Sequence, residues 1–224
     1  SQRALIMVAL IFAGEAIFTL PYHVTRFFRP TFLEVFELNA TELGVAQSAY
    51  GFIAMAAYFF GGPLADRFEP RKLLAGSLWA TAMGGLYLAT FPDVMGVMLV
   101  WGFFGLTNIL SFWAALIKVT RAWGGDSKQG LAYGLLDSGR GLLAAVLASL
   151  GVLAFSVAFP LGYDAATLEQ KGAALRQVIY GYTAVTAAVG VLVWFMLRGL
   201  DGGTKDTHSA KIGDFFRQIG VVIK

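Results

Sequence analysis

The sequence predicts an all-α membrane protein: six transmembrane helices followed by an amphipathic helix on the cytoplasmic side. Three observations predict it. First, 57% of the 224 residues are hydrophobic and only 14% are charged, too few to cover a water-facing surface, and mean hydropathy is +0.67. Second, apolar runs of about 20 residues, the length that crosses a hydrocarbon core, recur six times. Third, Lys and Arg collect in alternate breaks between those runs, as cytoplasmic retention of basic residues requires.

Taken in order, the first span covers 4–24 and gives way to Arg26, Arg29 and Pro30. The second, 42–62, meets Pro63, and the third, 73–91, starts after Pro70 and stops at Pro92. The fourth covers 94–119, before the Gly124, Gly125 pair; the fifth and sixth cover 131–159 and 178–197. Proline and glycine at these places are residues at which helices stop. The spans are apolar all round rather than striped, which suits lipid on one side and helix packing on the other.

One set of breaks holds Arg3, then Arg67, Arg71 and Lys72, then Lys118, Arg121 and Lys128, and finally Arg198, Lys205, Lys211, Arg217 and Lys224. The other holds Arg26 and Arg29, no base at the Asp93 turn, then Lys171 and Arg176. The richer set is cytoplasmic, which places both termini inside. Residues 1–199 form the membrane bundle and 200–224 a cytoplasmic segment. There LDGGTKDTHS reads as a linker, and Ile212, Phe215, Phe216, Ile219 and Val222 recur at helical spacing. That helix lies on the membrane face or packs on cytoplasmic loops.

Several functions are excluded. Cysteine is absent, and His23 and His208 do not make a His-rich metal site. No cofactor or metal is implied. The sequence has no GxSxG elbow and no HExxH helix, so it does not read as an enzyme. Basic residues spread along helix ends rather than over one face, which argues against nucleic acid. Residues 1–24 lack the charged start, short apolar run and small-residue cleavage site of a signal peptide.

The break GGPLADRFEPRK, residues 61–72, packs two acids, three bases and two prolines into twelve residues. It resembles the loop signature between the second and third spans of the major facilitator superfamily. Gly62, Asp66, Arg67, Arg71 and Lys72 fall on the signature, and Glu69 stands where that family usually has glycine. With six spans, both ends inside and a cytoplasmic surface helix, the whole chain resembles the N-terminal half of such a transporter. The segment KQGLAYGLLDSGRGLLAAVLASLG also resembles the fifth span of hexuronate and other organic-anion porters. The resemblance implies two six-helix halves around a central cavity, rocking to expose it to either side, so a second half is the implied partner. It also implies that Asp66 caps a helix of that other half and latches one conformation; this chain alone would leave Asp66 without its usual partner. A bacterial inner membrane is the expected location. Physical chemistry assigns the loop roles of its own: Arg67, Arg71 and Lys72 reach water and lipid phosphate, and an anion at Asp66 suits a helix N-terminus.

Ionisable residues inside a membrane are costly and mark function. Glu15 lies about 16 Å along the first helix from Ala4 and Arg140 about 18 Å along the fifth from Lys128, at about 1.5 Å per residue, so both reach the midplane. Asp137 precedes Arg140 by three residues and shares its face. Two carboxylates and one guanidinium leave an uncompensated negative charge in low dielectric. On one reading Glu15 or Asp137 takes a proton and couples it to transport, and Arg140 binds a small anionic solute through its planar fork. On another, Asp137 and Arg140 are a structural pair and Glu15 bonds a hydroxyl or water. A third makes Glu15 and Asp137 a cation site, against which the nearby Arg140 argues.

Tyr50, Asn108 and Trp113 are further candidates to line a solute cavity, with Thr19 and Ser111; Trp101 and Trp194 read as packing residues. Gly130, Gly134, Gly141, Ala145 and Ala148 are expected to let the fifth helix approach its neighbours. Sugar acids, organic phosphates and other small anions all fit this set. A non-transporting six-helix subunit that assembles with or regulates another membrane protein is the alternative function.

Overall fold

Lipid offers no hydrogen-bond partners, so apolar runs of this length satisfy their amides internally as helix. The computed structural model describes residues 2–159 and 162–198, and among these there is helix and no strand. Helix α1 (Gln2–Phe18) passes through a π-helical turn (Thr19–His23) into α2 (Val24–Phe27), and α3 (Arg29–Val35) follows. Then come α4 (Ala40–Arg67), α5 (Pro70–Leu88) and α6 (Val94–Gly105), which runs through a second π segment (Leu106–Trp113) into α7 (Ala114–Gly124). The last two are α8 (Gln129–Val157) and α9 (Leu168–Met196).

Among the described residues five stretches are long and apolar enough to cross a membrane: Gln2–Phe27, Ala40–Arg67, Val94–Gly124, Gln129–Val157 and Leu168–Met196. The predicted third span appears as α5, which is not among them. It opens on Arg71 and Lys72 and carries Gly76, Ser77, Thr81, Gly84 and Gly85, which lowers its hydropathy. The predicted amphipathic helix falls outside the described residues.

Two boundaries differ from expectation. Pro63 does not end the second span, because α4 continues through it to Arg67. A single missing amide is tolerated in a long membrane helix, and the Lys118 ammonium donates to the Ala65 carbonyl in the last turn (3.1 Å). The last helix starts ten residues earlier than 178, at Leu168. There Thr167 and Gln170 form a reciprocal capping box that satisfies its first amides. Lys171 and Arg176 therefore sit on the helix. Lys171 pairs with Glu34 of α3 (3.0 Å), and Arg176 Nε donates to the Ala89 carbonyl (3.0 Å).

The interior divides into two apolar clusters. One gathers Phe28, Phe32, Phe36, Trp101 and Phe104; the other gathers Leu10, Leu78, Phe112, Leu116 and Val193. Two of the closest helix contacts need glycine. A Cβ on Gly105 of α6 would lie 2.6 Å from the Tyr50 carbonyl oxygen of α4, and one on Gly85 of α5 would collide with Thr183 of α9 and with Leu20. The glycines expected to pack α8 do not do so, since a Cβ on Gly130, Gly134 or Gly141 meets nothing within 4 Å. The close approaches of α8 are instead Gly139 against Ile11 of α1 and Gly151 against Tyr182 of α9. The remainder of α8 is largely uncovered, with only 6% of its most apolar stretch buried.

Candidate functional site

The site grows from a local irregularity in the first span. In a regular α-helix a residue eight positions on lies about 80° around the axis. The wider π turn over Thr19–His23, which also contains Pro21, underwinds that stretch and brings His23 back over Glu15. His23 Nε2 then stands 3.0 Å from Glu15 Oε1, and both side chains are buried, 7% and 8% exposed. At this distance the Nε2–H tautomer donates to the carboxylate.

Arg140 approaches the pair from α8. Its Nε donates to the Gly14 carbonyl of α1 (2.9 Å) and lies 3.8 Å from Glu15 Oε2. Gly14 makes this docking possible, because a Cβ there would stand 2.8 Å from Arg140 Cδ. The guanidinium carbon sits 5.5 Å from the Phe18 ring centroid and 5.6 Å from that of Trp113, a partly desolvated cation held by two aromatic faces. Asp137 Oδ1 is 3.4 Å from Arg140 Nη1, but its side chain is 70% exposed.

A cavity of about 670 Å³ opens beside these groups, walled by Glu15, His23 and Arg26 from the first span and by Arg140, Ala145 and Ser149 from α8. Its volume suits a small organic solute. Two guanidiniums face one carboxylate, so with His23 neutral the lining carries an excess of one positive charge. Among the described residues Arg26 has no carboxylate partner; its guanidinium lies over the Phe27 ring (5.7 Å).

The structure brings together four of the residues singled out by sequence: Glu15, Asp137, Arg140 and Trp113, with Asp137 at the solvent edge. Tyr50 and Asn108 are placed elsewhere. Asn108 is fully buried, donates to the Ile17 carbonyl (3.3 Å) and accepts from Thr81 and Thr107. Tyr50 meets Tyr22 edge-on, with ring centroids 5.4 Å apart. Thr19 faces Thr186 (3.2 Å) and Ser111 faces Ser77 (2.6 Å), both as links between helices. Sequence reasoning did not find His23 or Arg26. The spacing of eight from Glu15 to His23 carries no signal in a regular helix, and only Pro21 between them marks the place where the winding changes.

The motif segment is helical except at Phe68 and Glu69. Gly62, Asp66 and Arg67 lie on α4, and Arg71 and Lys72 open α5. Glu69 adopts φ −61°, ψ 126°, ordinary extended backbone that needs no glycine. Its carboxylate pairs with Lys72 (3.1 Å) and Arg71 (3.5 Å), and the Lys72 hydrogen bond, then the two positive charges, hold its carboxyl below the usual glutamate range. Arg71 also lies 4.6 Å from the Trp194 ring of α9. Asp66 is not left alone within this chain, since Lys118 of α7 stands 3.5 Å away, but the pair is open to water.

The family model of the Major Facilitator Superfamily matches residues 4–219. The Inner membrane protein YihN of Escherichia coli (strain K12) is 30% identical over 216 residues, covering 91% of this chain and 48% of that protein. The Inner membrane protein YqcE of the same organism is 30% identical over 198 residues, covering 88% and 44%. An uncharacterized MG294 homolog of Mycoplasma pneumoniae is 24% identical over 232 residues, covering 97% and 49%. The chain thus spans about half the length of these relatives. No solved structure matches it.

Proposed function

Since this chain belongs to the major facilitator superfamily, we propose that it is the N-terminal six-helix half of a secondary active transporter for a small, polar, anionic organic solute, coupled to protons. The observation that carries this reading is the cavity beside Arg140, whose guanidinium is anchored on the Gly14 carbonyl and faces the buried Glu15–His23 pair. A guanidinium fixed in this way presents its remaining donors to a carboxylate or phosphate. Glu15 competes with the solute for the same cation, which is how a proton on the carboxylate side would favour loading.

In this account α5 is the third of six crossings, both termini are cytoplasmic, and residues 200–224 supply a linker and an interfacial helix. The relatives' description as inner membrane proteins supports a bacterial inner membrane. A second six-helix half covers the exposed apolar faces of α4 and α8, and the 61–72 segment, with Asp66, Arg67, Arg71 and Lys72, latches one conformation against it. The solute meets Arg140, whose guanidinium Trp113 backs, and Tyr50 packs behind the cavity-wall residue Tyr22; Glu15 supplies the negative charge of the coupling site and Asp137 steadies Arg140 from the solvent side.

The test is solute uptake by proteoliposomes containing the full-length protein, screened over sugar acids and organic phosphates, with Arg140→Ala and Glu15→Gln alongside. The account expects Arg140→Ala to abolish uptake and Glu15→Gln to uncouple it from the pH gradient. Normal transport of every identified solute by both variants refutes it. Absence of uptake by the wild type for all solutes favours the alternative, a non-transporting subunit.

A further inference from the structure

We propose that His23 carries the coupling proton, that Nδ1 is the atom that takes it, and that it does so when an anion engages Arg140; this rests on the cavity being the solute site. The side chain is 7% exposed and lines the cavity, and its Nε2 is committed to Glu15. Nδ1 is buried and has no hydrogen-bond partner among the described residues. Buried nitrogens are rarely left so, because an unpaired one is destabilising. A lone pair kept dry and unpaired next to a carboxylate is a site for a proton that arrives only when the charge around it changes.

The groups around His23 decide when that happens. From its own span come Glu15, Tyr22 and Arg26; from α8 comes Arg140; from α9 comes Tyr182, whose ring lies 5.8 Å from the imidazole. Phe27 packs edge-on at 5.3 Å and adds no charge. With the cavity empty, two guanidiniums against one carboxylate leave an excess of positive charge that opposes a further one on the ring. An anion on Arg140 cancels one of those positive charges. The positive excess is then cancelled, and a proton reaches Nδ1 with the water that enters beside the anion. The N–H so formed donates to an oxygen of the bound anion while Nε2–H still donates to Glu15. One monoanion and one proton are taken up together, and no net charge is added to the site.

The experiment titrates the full-length protein with D-glucuronate and with D-gluconate, monoanions whose own charge is constant over this range, at pH 6 and pH 8, counting protons taken up from weak buffer. For the wild type the expected result is binding of at least one probe about tenfold tighter at pH 6, with about one proton taken up per anion. His23→Gln keeps a donor toward Glu15 but has no atom to protonate, so its affinity is the same at both pH values and proton uptake vanishes. Retained pH dependence and proton uptake in His23→Gln overturn the inference while leaving the cavity reading intact. Unchanged binding by Arg140→Ala, or binding of neither probe by the wild type, overturns the cavity reading and this inference with it. Should His23→Gln not fold, nitrogen NMR of the wild-type imidazole at pH 7 reads the same event. Protonation of Nδ1 on adding the probe supports the inference, and an unchanged Nδ1 signal overturns it.

Discussion

Gly14→Ala places one methyl group against the side chain on which the site depends. The new Cβ would stand 2.8 Å from Arg140 Cδ, 3.2 Å from Nε and 3.4 Å from Leu116 Cδ2. Carbon atoms at rest lie about 3.5–4.0 Å apart, so Cδ must retreat by roughly 1 Å. The Nε–Gly14 carbonyl bond, now 2.9 Å, is the first contact to lengthen. A hydrogen bond from a charged donor contributes about 1.5–3 kcal/mol, and losing even the lower figure as orientation of the guanidinium weakens anion binding about tenfold. Alanine is also the better helix former by about 0.5–1 kcal/mol, which offsets part of the strain and keeps the fold intact. Equilibrium binding of radiolabelled D-glucuronate and glycerol 3-phosphate, with thermal unfolding in parallel, separates the two effects. Gly141→Ala, one residue from Arg140 and with nothing within 4 Å of its Cβ, is the control and binds as wild type. A folded Gly14→Ala protein with wild-type affinity would show that the docking of Arg140 does not set anion binding.

Other perturbations follow from the same geometry. Glu15→Gln removes a charge 3.8 Å from Arg140, a pair worth at most about 4 kcal/mol at an effective dielectric near 20; anion binding tightens at pH 8 and its pH dependence shrinks, whereas weaker binding counts against competition for Arg140. Gly105→Ala drives a methyl into the Tyr50 backbone, 2.6 Å from its carbonyl oxygen, and lowers stability by about 1–3 kcal/mol; Gly102→Ala, whose Cβ meets Ile53 at 3.7 Å, leaves Tm unchanged. Glu69 has a lowered carboxyl pKa in the folded state, chiefly through its Lys72 hydrogen bond, so its contribution is complete above the ordinary glutamate value and is lost as pH falls through the lowered one. Glu69→Gln therefore lowers Tm at pH 7, and the difference from wild type shrinks once pH falls below the ordinary glutamate range; a difference that stays constant on acidification removes the ion pairs as its cause.

Much of the architecture is legible in the sequence because lipid leaves a chain few options. Apolar length gave the helices, and burial of Glu15 beside Arg140 followed from equal depth on two helices running the same way. The ends were harder. Thr167 and Gln170 extend α9 by a full polar turn and more because a capping box is a local device that hydropathy averaging does not register. Pro63 misled for the opposite reason, since a residue that breaks helices in water is absorbed within α4. The glycines of α8 look like a packing face by composition, yet only Gly139 and Gly151 meet neighbours, because helix rotation rather than glycine count decides which side is covered. His23 escaped notice because its partnership with Glu15 depends on the underwound Thr19–His23 turn, and a period read at 3.6 residues places it elsewhere.

The chain contains no cysteine, which makes the most direct test a clean one. Ala145 lines the cavity on α8, whereas Leu153, on the same helix, is exposed and lies outside it. A thiol introduced as Ala145→Cys in the full-length protein is labelled by a small maleimide at a rate that D-glucuronate or glycerol 3-phosphate slows, and this protection disappears when Arg140→Ala is added. Labelling of Leu153→Cys is indifferent to both anions. Equal labelling of Ala145→Cys with and without either anion would contradict the assignment of this cavity as the solute site.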